Sequence, residues 1–308
     1  MRLASVSVDL DEIDCYAAIH GLPLPADDSA HAVYRHALPR FERLFDELGL
    51  RATFFAIGRD LDDAHAAGAI ARLDRAGHEI ANHSFDHRYD FSRRSPDEQR
   101  DDIARGSAAI ERVTGSRPVG FRAPGYLVTD SVFDQLAALG VGYDSSVFAC
   151  PGYYLAKSAA LTAIALSGRR SHSIFGDPRV LTAPTDPYRV GRPYYRRGDG
   201  LLELPIGVTR GPSLRLPFIG TTLALAGERA AWLTRQIVGR PHVNLELHGI
   251  DLCDPHDDAL AWLAPHQYDL KKRAAEKRAA FSASITVLRE AGYELVTLRE
   301  AAERLRTA

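Results

Sequence analysis

The chain has 308 residues, of which 25% are charged, and its formal net charge at pH 7 is −2. General nucleic-acid binders normally show a strongly basic balance, so this composition argues against that class, while the length permits one barrel-sized domain or two ordinary ones. The three cysteines Cys15, Cys150 and Cys253 are far apart and odd in number, which predicts neither a disulfide framework nor a cysteine-based zinc site.

The N-terminal residues enter a strand pattern directly, over residues 3–8, without the basic and apolar regions of a signal peptide. No apolar run in the sequence reaches the roughly 18 residues that a membrane-spanning helix needs. We therefore predict a cytoplasmic protein. Residues 14–32, rich in Pro, Asp and His, are predicted to be a loop, and residues 33–48 have helical spacing that stops at Gly49.

The middle of the chain continues this alternation of strand and helix patterns. Residues 52–57 predict a buried strand, residues 62–76 a helix ending before Gly77, and residues 78–81 a third strand. Ser95 begins a helix that reaches about residue 113, with Ser as N-cap, Pro at the first position and acidic residues behind it. Further strands are predicted over residues 119–122, 141–144, 201–206, 243–248 and 294–298.

Strands separated by helical patterns predict parallel β/α units, and seven or eight such units favour a barrel over an open sheet. Active sites of parallel β/α barrels are built at the carboxyl ends of the strands. Candidate polar residues stand at or just past predicted strand ends, as that architecture requires. They are Asp9, Asp11, His83, His87, Arg122, Asp144 and His248.

His83 and His87 lie four residues apart, directly after the third predicted strand. Imidazole is the commonest protein ligand for zinc-like ions, and this spacing lets one turn of backbone aim both rings at one ion. A catalytic zinc usually takes three protein ligands, and the best supplier of the third is the end of the first strand, with Asp9 and Asp11. Taken alone, the two histidines could equally be solvated surface residues.

From residue 5 to about residue 298 the chain resembles the polysaccharide deacetylases (NodB-like, carbohydrate esterase family 4). Four motifs of that family appear in order: the acidic pair Asp9-Leu10-Asp11, the segment His83-Ser84-Phe85-Asp86-His87, Arg122-Ala123-Pro124, and Leu245-Glu246-Leu247-His248. The acidic pair is spaced by one residue, where an adjacent pair is commoner. The resemblance implies an α/β fold, a distorted (β/α) barrel of seven or eight strands, as a single catalytic domain over residues 1–308.

The resemblance also implies a metal-dependent hydrolase that removes an acetyl or a formyl group from the nitrogen of an amino sugar or glycan. Asp11, His83 and His87 would hold a divalent metal ion, with Zn²⁺ expected and Co²⁺, Ni²⁺ or Mn²⁺ as alternatives.

The remaining motif residues would then act on the substrate. Asp9 would be the general base, kept ionised and aimed by Arg122, and His248 would protonate the departing nitrogen. A backbone N–H of the turn at Gly125 and Tyr126 would help to bind the oxyanion.

One family motif is altered. An Asp-Trp pair is often found in the fourth motif, where this chain has Tyr143-Asp144-Ser145. The acid that orients His248 is therefore open between Asp144, the first choice, and Asp251, three residues beyond the histidine. His78 is predicted to be structural, and His242, His256 and His266 are predicted to be surface residues.

Residues 149–200 form a predicted insertion longer than most β/α loops. It begins with an apolar, helix-like segment over 153–166, and a second apolar stretch covers 214–226. Packed helices with a solvated basic rim are one interpretation; a site for a phosphate-bearing, lipid-linked amino sugar at the inner membrane face is the other. The charged residues concerned are Arg169, Arg170, Arg179, Arg189, Arg192, Arg196 and Arg197, offset by Asp177, Asp186 and Asp199.

Two further functions compete with the leading one. A metal-independent branch of the same fold could hydrolyse another C–N bond, such as that of a cyclic ureide, but it would have little need for the complete Asp/His/His set. A non-catalytic carbohydrate-binding relative would have little need for Asp9, Arg122 and His248 together. The sequence does not identify the sugar or the oligomeric state.

Overall fold

The computed structural model describes residues 2–211 and 215–306. Within these residues nine strands form one sheet. Their bounds are β1 Leu3–Asp9, β2 Thr53–Ala56, β3 Glu79–Asn82, β4 Gly120–Phe121, β5 Tyr143–Asp144, β6 Tyr188–Val190, β7 Arg197–Glu203, β8 His242–His248 and β9 Glu294–Leu295.

The strand order is β6-β7-β5-β4-β3-β2-β1-β8, and β9 also pairs with β1. All of these pairs are parallel except β6 with β7. The register places Asp9 opposite both Phe55 of β2 and His248 of β8. The carboxyl ends of β1 and β8 therefore finish side by side at one edge of the sheet.

The segment after β7 brings the two ends of the sheet towards each other. The Gly207 amide donates to the Asn244 carbonyl of β8 at 2.9 Å, and Ile219 forms a parallel bridge with Glu246. The sheet is thus curled into a half-barrel, which confirms the predicted distorted β/α barrel as the fold class.

Helices connect most of the parallel strands. They are α1 Ile13–His20, α2 Leu38–Glu47, α3 Ala64–Arg75, α4 Pro96–Thr114, α5 Asp130–Ala138, α6 Pro151–Leu166, α7 Gly220–Ala226, α8 Ala230–Arg235, α9 Ala274–Glu290 and α10 Leu298–Arg306. Ser95 and Glu98 form a capping box at the start of α4, as the sequence indicates. Among the described residues, no helix has the length and apolar character to cross a bilayer.

Alternation along β1 separates an apolar face from a polar one. Val6 and Val8 belong to the main hydrophobic core, together with Phe41 of α2 and Phe281 of α9. Ser5, Ser7 and Asp9 are also buried, and since successive side chains of a strand point to opposite faces, they lie on the other side. The inside of the curl is therefore lined with polar groups, which is what a site at its mouth requires.

One sequence prediction about elements was wrong, and one strand was missed. Residues 14–32 are not all loop, because α1 forms there, capped at its start by the Glu12 side chain and at its end by Gly21 in a left-handed conformation. The predicted helix over 33–48 begins as a wide π-type turn, Val33–Ala37, before α2. The antiparallel strand β6 was not predicted. In the predicted apolar stretch over 214–226, residue 214 lies outside the described residues. The last part of that stretch forms α7.

Candidate active site

Asp11, His83 and His87 meet at the carboxyl edge of the sheet. The Asp11 Oδ1 atom lies 3.2 Å from His83 Nε2 and 3.3 Å from His87 Nε2. All three residues are buried, and one ligand atom from each can be chosen so that all lie within 4.8 Å of one another. The structure therefore brings together the three residues that the sequence pattern singled out as metal ligands.

Both imidazole rings are oriented through their other nitrogen. His83 Nδ1 lies 2.7 Å from the Arg122 carbonyl oxygen, and a carbonyl can only accept, so Nδ1 carries a proton and the lone pair of the neutral ring is on Nε2. His87 Nδ1 lies 3.4 Å from the thiol sulfur of Cys15 in α1. Sequence reasoning left Cys15 without a role, because no spacing rule links a cysteine of α1 to the loop after β3.

The loop that carries the histidines is strained. Ser84 and His87 both have positive φ angles, 67° and 50°, which cost of the order of 1–3 kcal/mol each in residues other than glycine. Hydrogen bonds hold this backbone, because the His87 amide donates to Ser84 Oγ at 3.0 Å and the Asp86 amide donates to the Asp102 carboxylate at 3.0 Å. This backbone conformation directs both imidazole rings towards Asp11.

The donor set fits a divalent metal ion. Asp11 Oδ1 and His87 Nε2 are buried and have no hydrogen-bond partner among the described residues, although unpaired buried polar atoms are costly. Burial by itself would raise the pKa of Asp11, but the two histidines outweigh it and hold that pKa well below its ordinary value. One carboxylate with two imidazoles is a donor set typical of Zn²⁺ and of neighbouring transition metals.

Asp9 is held by a fully buried arginine. Arg122 Nη1 donates to Asp9 Oδ1 at 2.5 Å, and the guanidinium lies over the Phe55 ring at 4.1 Å. Its remaining donors reach the Ser145 carbonyl and hydroxyl at 2.8 and 2.9 Å and the Ser7 hydroxyl at 3.0 Å. The second oxygen, Asp9 Oδ2, lies 3.8 Å from His83 Nε2 and so faces the metal-ligand set.

His248 stands across from these residues, at the end of β8. Its Nδ1 lies 2.9 Å from Glu246 Oε1, and its Nε2 lies 3.1 Å from the Tyr126 hydroxyl. Burial opposes the charged form, but the Glu246 carboxylate outweighs it and holds the pKa of His248 well above 6.5. The raised pKa favours the protonated ring, in which Nε2 as well as Nδ1 carries a proton.

The prediction that Asp144 or Asp251 orients the His248 ring was wrong. Asp144 accepts from the backbone amide and hydroxyl of Ser146, and Asp251 accepts only from the backbone amide of His248, at 2.8 Å. Both ring nitrogens of His248 are occupied by other groups, and the acid beside Nδ1 is Glu246. A usable signal was present, since Glu246 and His248 are two residues apart on one strand and therefore share a face.

Of the two backbone N–H groups in the predicted oxyanion turn, one is already engaged in a hydrogen bond within the turn. The Tyr126 amide donates to the Ala123 carbonyl at 3.0 Å, so the prediction that this N–H faces the substrate was wrong. Gly125 has a φ of 61°, where a side chain would also approach the Tyr89 ring at 3.3 Å, and its N–H stays the predicted donor. The Tyr126 side chain, which the sequence did not single out, instead reaches His248.

The surroundings of the site include a polar groove and the insertion. A groove of about 620 Å³ opens beside His87, and its charged lining includes Arg59, Arg88, Asp14, Asp86 and Asp90. Three of the seven arginines of the insertion are engaged at separate places: Arg179 pairs with Asp177, Arg192 pairs with Asp134, and Arg189 donates to a backbone carbonyl. His242, predicted to be at the surface, is buried, with Nε2 3.1 Å from the Ser5 hydroxyl.

Comparison with known proteins gives sequence relatives for part of the chain. The polysaccharide deacetylase family profile matches residues 26–143, which include His83, His87 and Arg122 but neither Asp9 nor His248. A peptidoglycan deacetylase of Helicobacter pylori is 24% identical over 147 residues, 47% of this chain and 49% of that protein. A peptidoglycan deacetylase-like protein of Gibberella zeae is 31% identical over 147 residues, which cover 46% of this chain and 43% of that protein. The chain thus matches less than half the length of these curated relatives.

Solved structures share the fold over nearly the whole chain. A proposed polysaccharide deacetylase from Mycobacterium smegmatis has a TM-score of 0.60 at 20% identity, covering 99% of this chain and 91% of that one. A family 4 acetyl xylan esterase from Clostridium thermocellum, solved in complex with a cobalt ion, has a TM-score of 0.51 at 18% identity, covering 100% and 93%. The chain is thus similar to the NodB-like polysaccharide deacetylases in sequence over residues 26–143 and in fold over nearly its whole length.

Proposed function

We propose that this protein is a metal-dependent hydrolase that removes an N-acyl group, acetyl or formyl, from an amino sugar or glycan. The observation that carries the proposal is the convergence of buried Asp11, His83 and His87, two of whose ligand atoms have no hydrogen-bond partner among the described residues. The likeness to polysaccharide and peptidoglycan deacetylases supports hydrolysis of a carbon–nitrogen bond in general terms. The groove beside His87, with donors and acceptors of both charges, suits a polyhydroxylated substrate.

The metal ligands would be Asp11, His83 and His87, since their donor atoms face one point. A bound divalent ion supplies Lewis acidity towards water and towards the acyl carbonyl. The chain itself fixes the geometry, because the Arg122 carbonyl holds His83 and the strained loop holds His87.

Proton transfer would fall to two groups on opposite sides of the scissile bond. Asp9, whose Oδ1 is engaged by Arg122, has Oδ2 free to take a proton from the attacking water. The water oxygen forms the new bond to the acyl carbon, and the carbon–nitrogen bond breaks. His248, charged by its contact with Glu246, supplies the proton that the departing nitrogen needs.

The first test combines metal analysis with acyl release. Acetate and formate release would be measured on a panel of N-acylated sugars, for the wild type and for Asp9→Asn and Asp11→Asn. We expect Asp9→Asn to retain the metal and to lose about 10²–10⁴-fold in kcat, because only the base is removed. Asp11→Asn should lose the metal as well as the activity.

A matched control is available outside the site and its groove. Asp62 is an exposed carboxylate whose ionic partner is Arg112, at 2.9 Å, so Asp62→Asn should keep both metal and activity. Full activity after complete metal removal would support a metal-independent hydrolase instead. Sugar binding without release of any acyl group, unchanged in Asp9→Asn, would support a non-catalytic relative. The cytoplasmic location stays a prediction from the sequence.

A further inference from the structure

The outer face of α6 is apolar and exposed. Leu155 is 67% exposed and Leu166 is 85% exposed, the two largest values among the large apolar side chains of the described residues. Ala159 and Thr162, which are exposed as well, complete a stripe with the spacing i, i+4, i+7 and i+11 on one side of the helix. Surface helices of globular proteins normally carry charged side chains on this side, and here the stripe has none.

The opposite face of α6 attaches the helix to the protein next to the active site. Tyr153, Lys157 and Ile164 are partly or fully buried there. The Tyr153 ring lies 4.8 Å from that of Phe148 and 5.9 Å from that of Tyr126, whose hydroxyl contacts His248. The first turn of α6 is therefore two side-chain contacts away from the proposed general acid.

The charged residues in the segment around α6 are all basic. No Asp or Glu occurs between residues 150 and 176, whereas Arg169 and Arg170 follow the helix and Lys157 lies on its buried face. Arg169 donates to the His20 carbonyl, and Arg170 is exposed directly after the helix. A partner for this surface must offer apolar contact and negative charge together.

We propose that the stripe of Leu155, Ala159, Thr162 and Leu166, with Arg169 and Arg170 after it, rests on the surface of an anionic phospholipid bilayer. The leucines reach the boundary of the acyl chains, and the arginines lie at the level of the lipid phosphates. A second copy of the chain fits the stripe less well, because pairing two such faces would bring like charges together.

The proposal places the mouth of the active site near the membrane. If the proposed function holds, an N-acylated sugar carried at the bilayer surface reaches His248 past Tyr153 without leaving that surface. Membrane binding itself does not depend on the chemistry, so the two proposals can fail separately.

The test measures binding of the full chain to lipid vesicles by flotation. Vesicles of phosphatidylcholine with one third phosphatidylglycerol would be compared with pure phosphatidylcholine, at low and at high salt. We expect binding to the anionic vesicles that weakens with salt, and a loss of about tenfold or more in affinity in the double variant Leu155→Ser/Leu166→Ser. Arg170→Ser should lower the affinity by about fivefold.

A control variant is available on α7. Leu225 is 52% exposed but lies outside the stripe, so Leu225→Ser should bind vesicles as the wild type does. Acyl release from a water-soluble substrate should be unchanged in all of these variants, since none alters the active site. The proposal is overturned if the wild type does not bind anionic vesicles, or if the double variant binds them equally well. Concentration-dependent dimers in light scattering, lost in the double variant, would assign the face to a second copy instead.

Discussion

Glu246 contacts the His248 ring and raises its pKa. The sequence motifs predicted His248 as a site residue but did not identify Glu246 as its partner. Six of the residues that meet at the candidate site were predicted from the sequence because they follow strand ends, where a parallel sheet gathers its polar side chains. Asp144, the first choice for the partner of His248, lies on β5 and accepts a hydrogen bond from the Ser146 hydroxyl instead. Side-chain direction at the end of a two-residue strand depends on tertiary hydrogen bonds that no local pattern encodes.

Replacing Glu246 should move the pH dependence of the reaction. A general acid must be protonated, so activity is lost as the pH rises through the pKa of His248. The Glu246 carboxylate raises that pKa, and Glu246→Gln should therefore shift the alkaline limb of the kcat profile to lower pH. Asp144→Asn is the matched control and should leave the alkaline limb in place. The reverse pattern, with only Asp144→Asn moving the limb, would contradict the assignment.

The Tyr126 hydroxyl lies 3.1 Å from His248 Nε2, the nitrogen that would donate the proton. Its ring is buried and packed edge-on by Phe148 and Tyr153, so we expect it to relay the proton of His248 rather than to move aside. Tyr126→Phe keeps the ring and should lower kcat by about 10²-fold with little change in KM. Thermal unfolding serves as the control for folding. An unchanged or increased kcat would show that the hydroxyl only occupies the position of the departing nitrogen.

At the scale of elements, the strands were predicted more accurately than the connections between them. Buried apolar runs such as residues 52–57 leave few alternatives to a strand. Helix α1 was not predicted because the surrounding sequence is rich in Pro and Asp, and because the start of the helix depends on Glu12. That side chain accepts from the amides of Ile13, Val33 and Tyr34, which joins α1 to a turn twenty residues away.

The start of α7 supports the loop after His248 through a glycine. A Cβ at Gly220 would lie 1.8 Å from Asp251 Oδ2, the atom that accepts from the His248 amide. Gly220→Ala should therefore destabilise the fold by about 1–3 kcal/mol and also lower activity. Gly68→Ala, in an exposed part of α3 with open space, should instead stabilise it by about 0.5–1 kcal/mol. Denaturant unfolding of both variants checks this. Equal stability of Gly220→Ala and wild type would show that the helix start can shift freely.

For the whole molecule, two buried histidines outside the site predict a loss of stability in acid. Burial lowers the pKa of His78 and of His242 to about 4, from an ordinary value of 6.5. Between pH 4 and pH 6.5 these two histidines are protonated in the unfolded chain but largely neutral in the folded chain. The free energy of unfolding should therefore fall as the pH drops from 6.5 to 4.

The measurement is denaturant unfolding across that pH range, with two variants compared. His242→Asn should flatten the pH dependence by up to the contribution of one proton, whereas His256→Asn, at an exposed position, should leave it unchanged. An identical slope in the wild type and His242→Asn would contradict the buried-histidine explanation.

The pairing of β1 has a consequence for how the protein reaches its native state during synthesis. This strand comes first along the chain, yet two of its neighbours are β8 and β9, from the last quarter of the sequence. A ribosome adding about 5–20 residues per second needs on the order of ten seconds or more to supply them. Until then the edge of β1 that pairs with β8 is open, which exposes its backbone N–H and C=O groups to other nascent chains. We therefore expect folding yield in the cell to depend on chaperones that shield this strand until β8 has emerged.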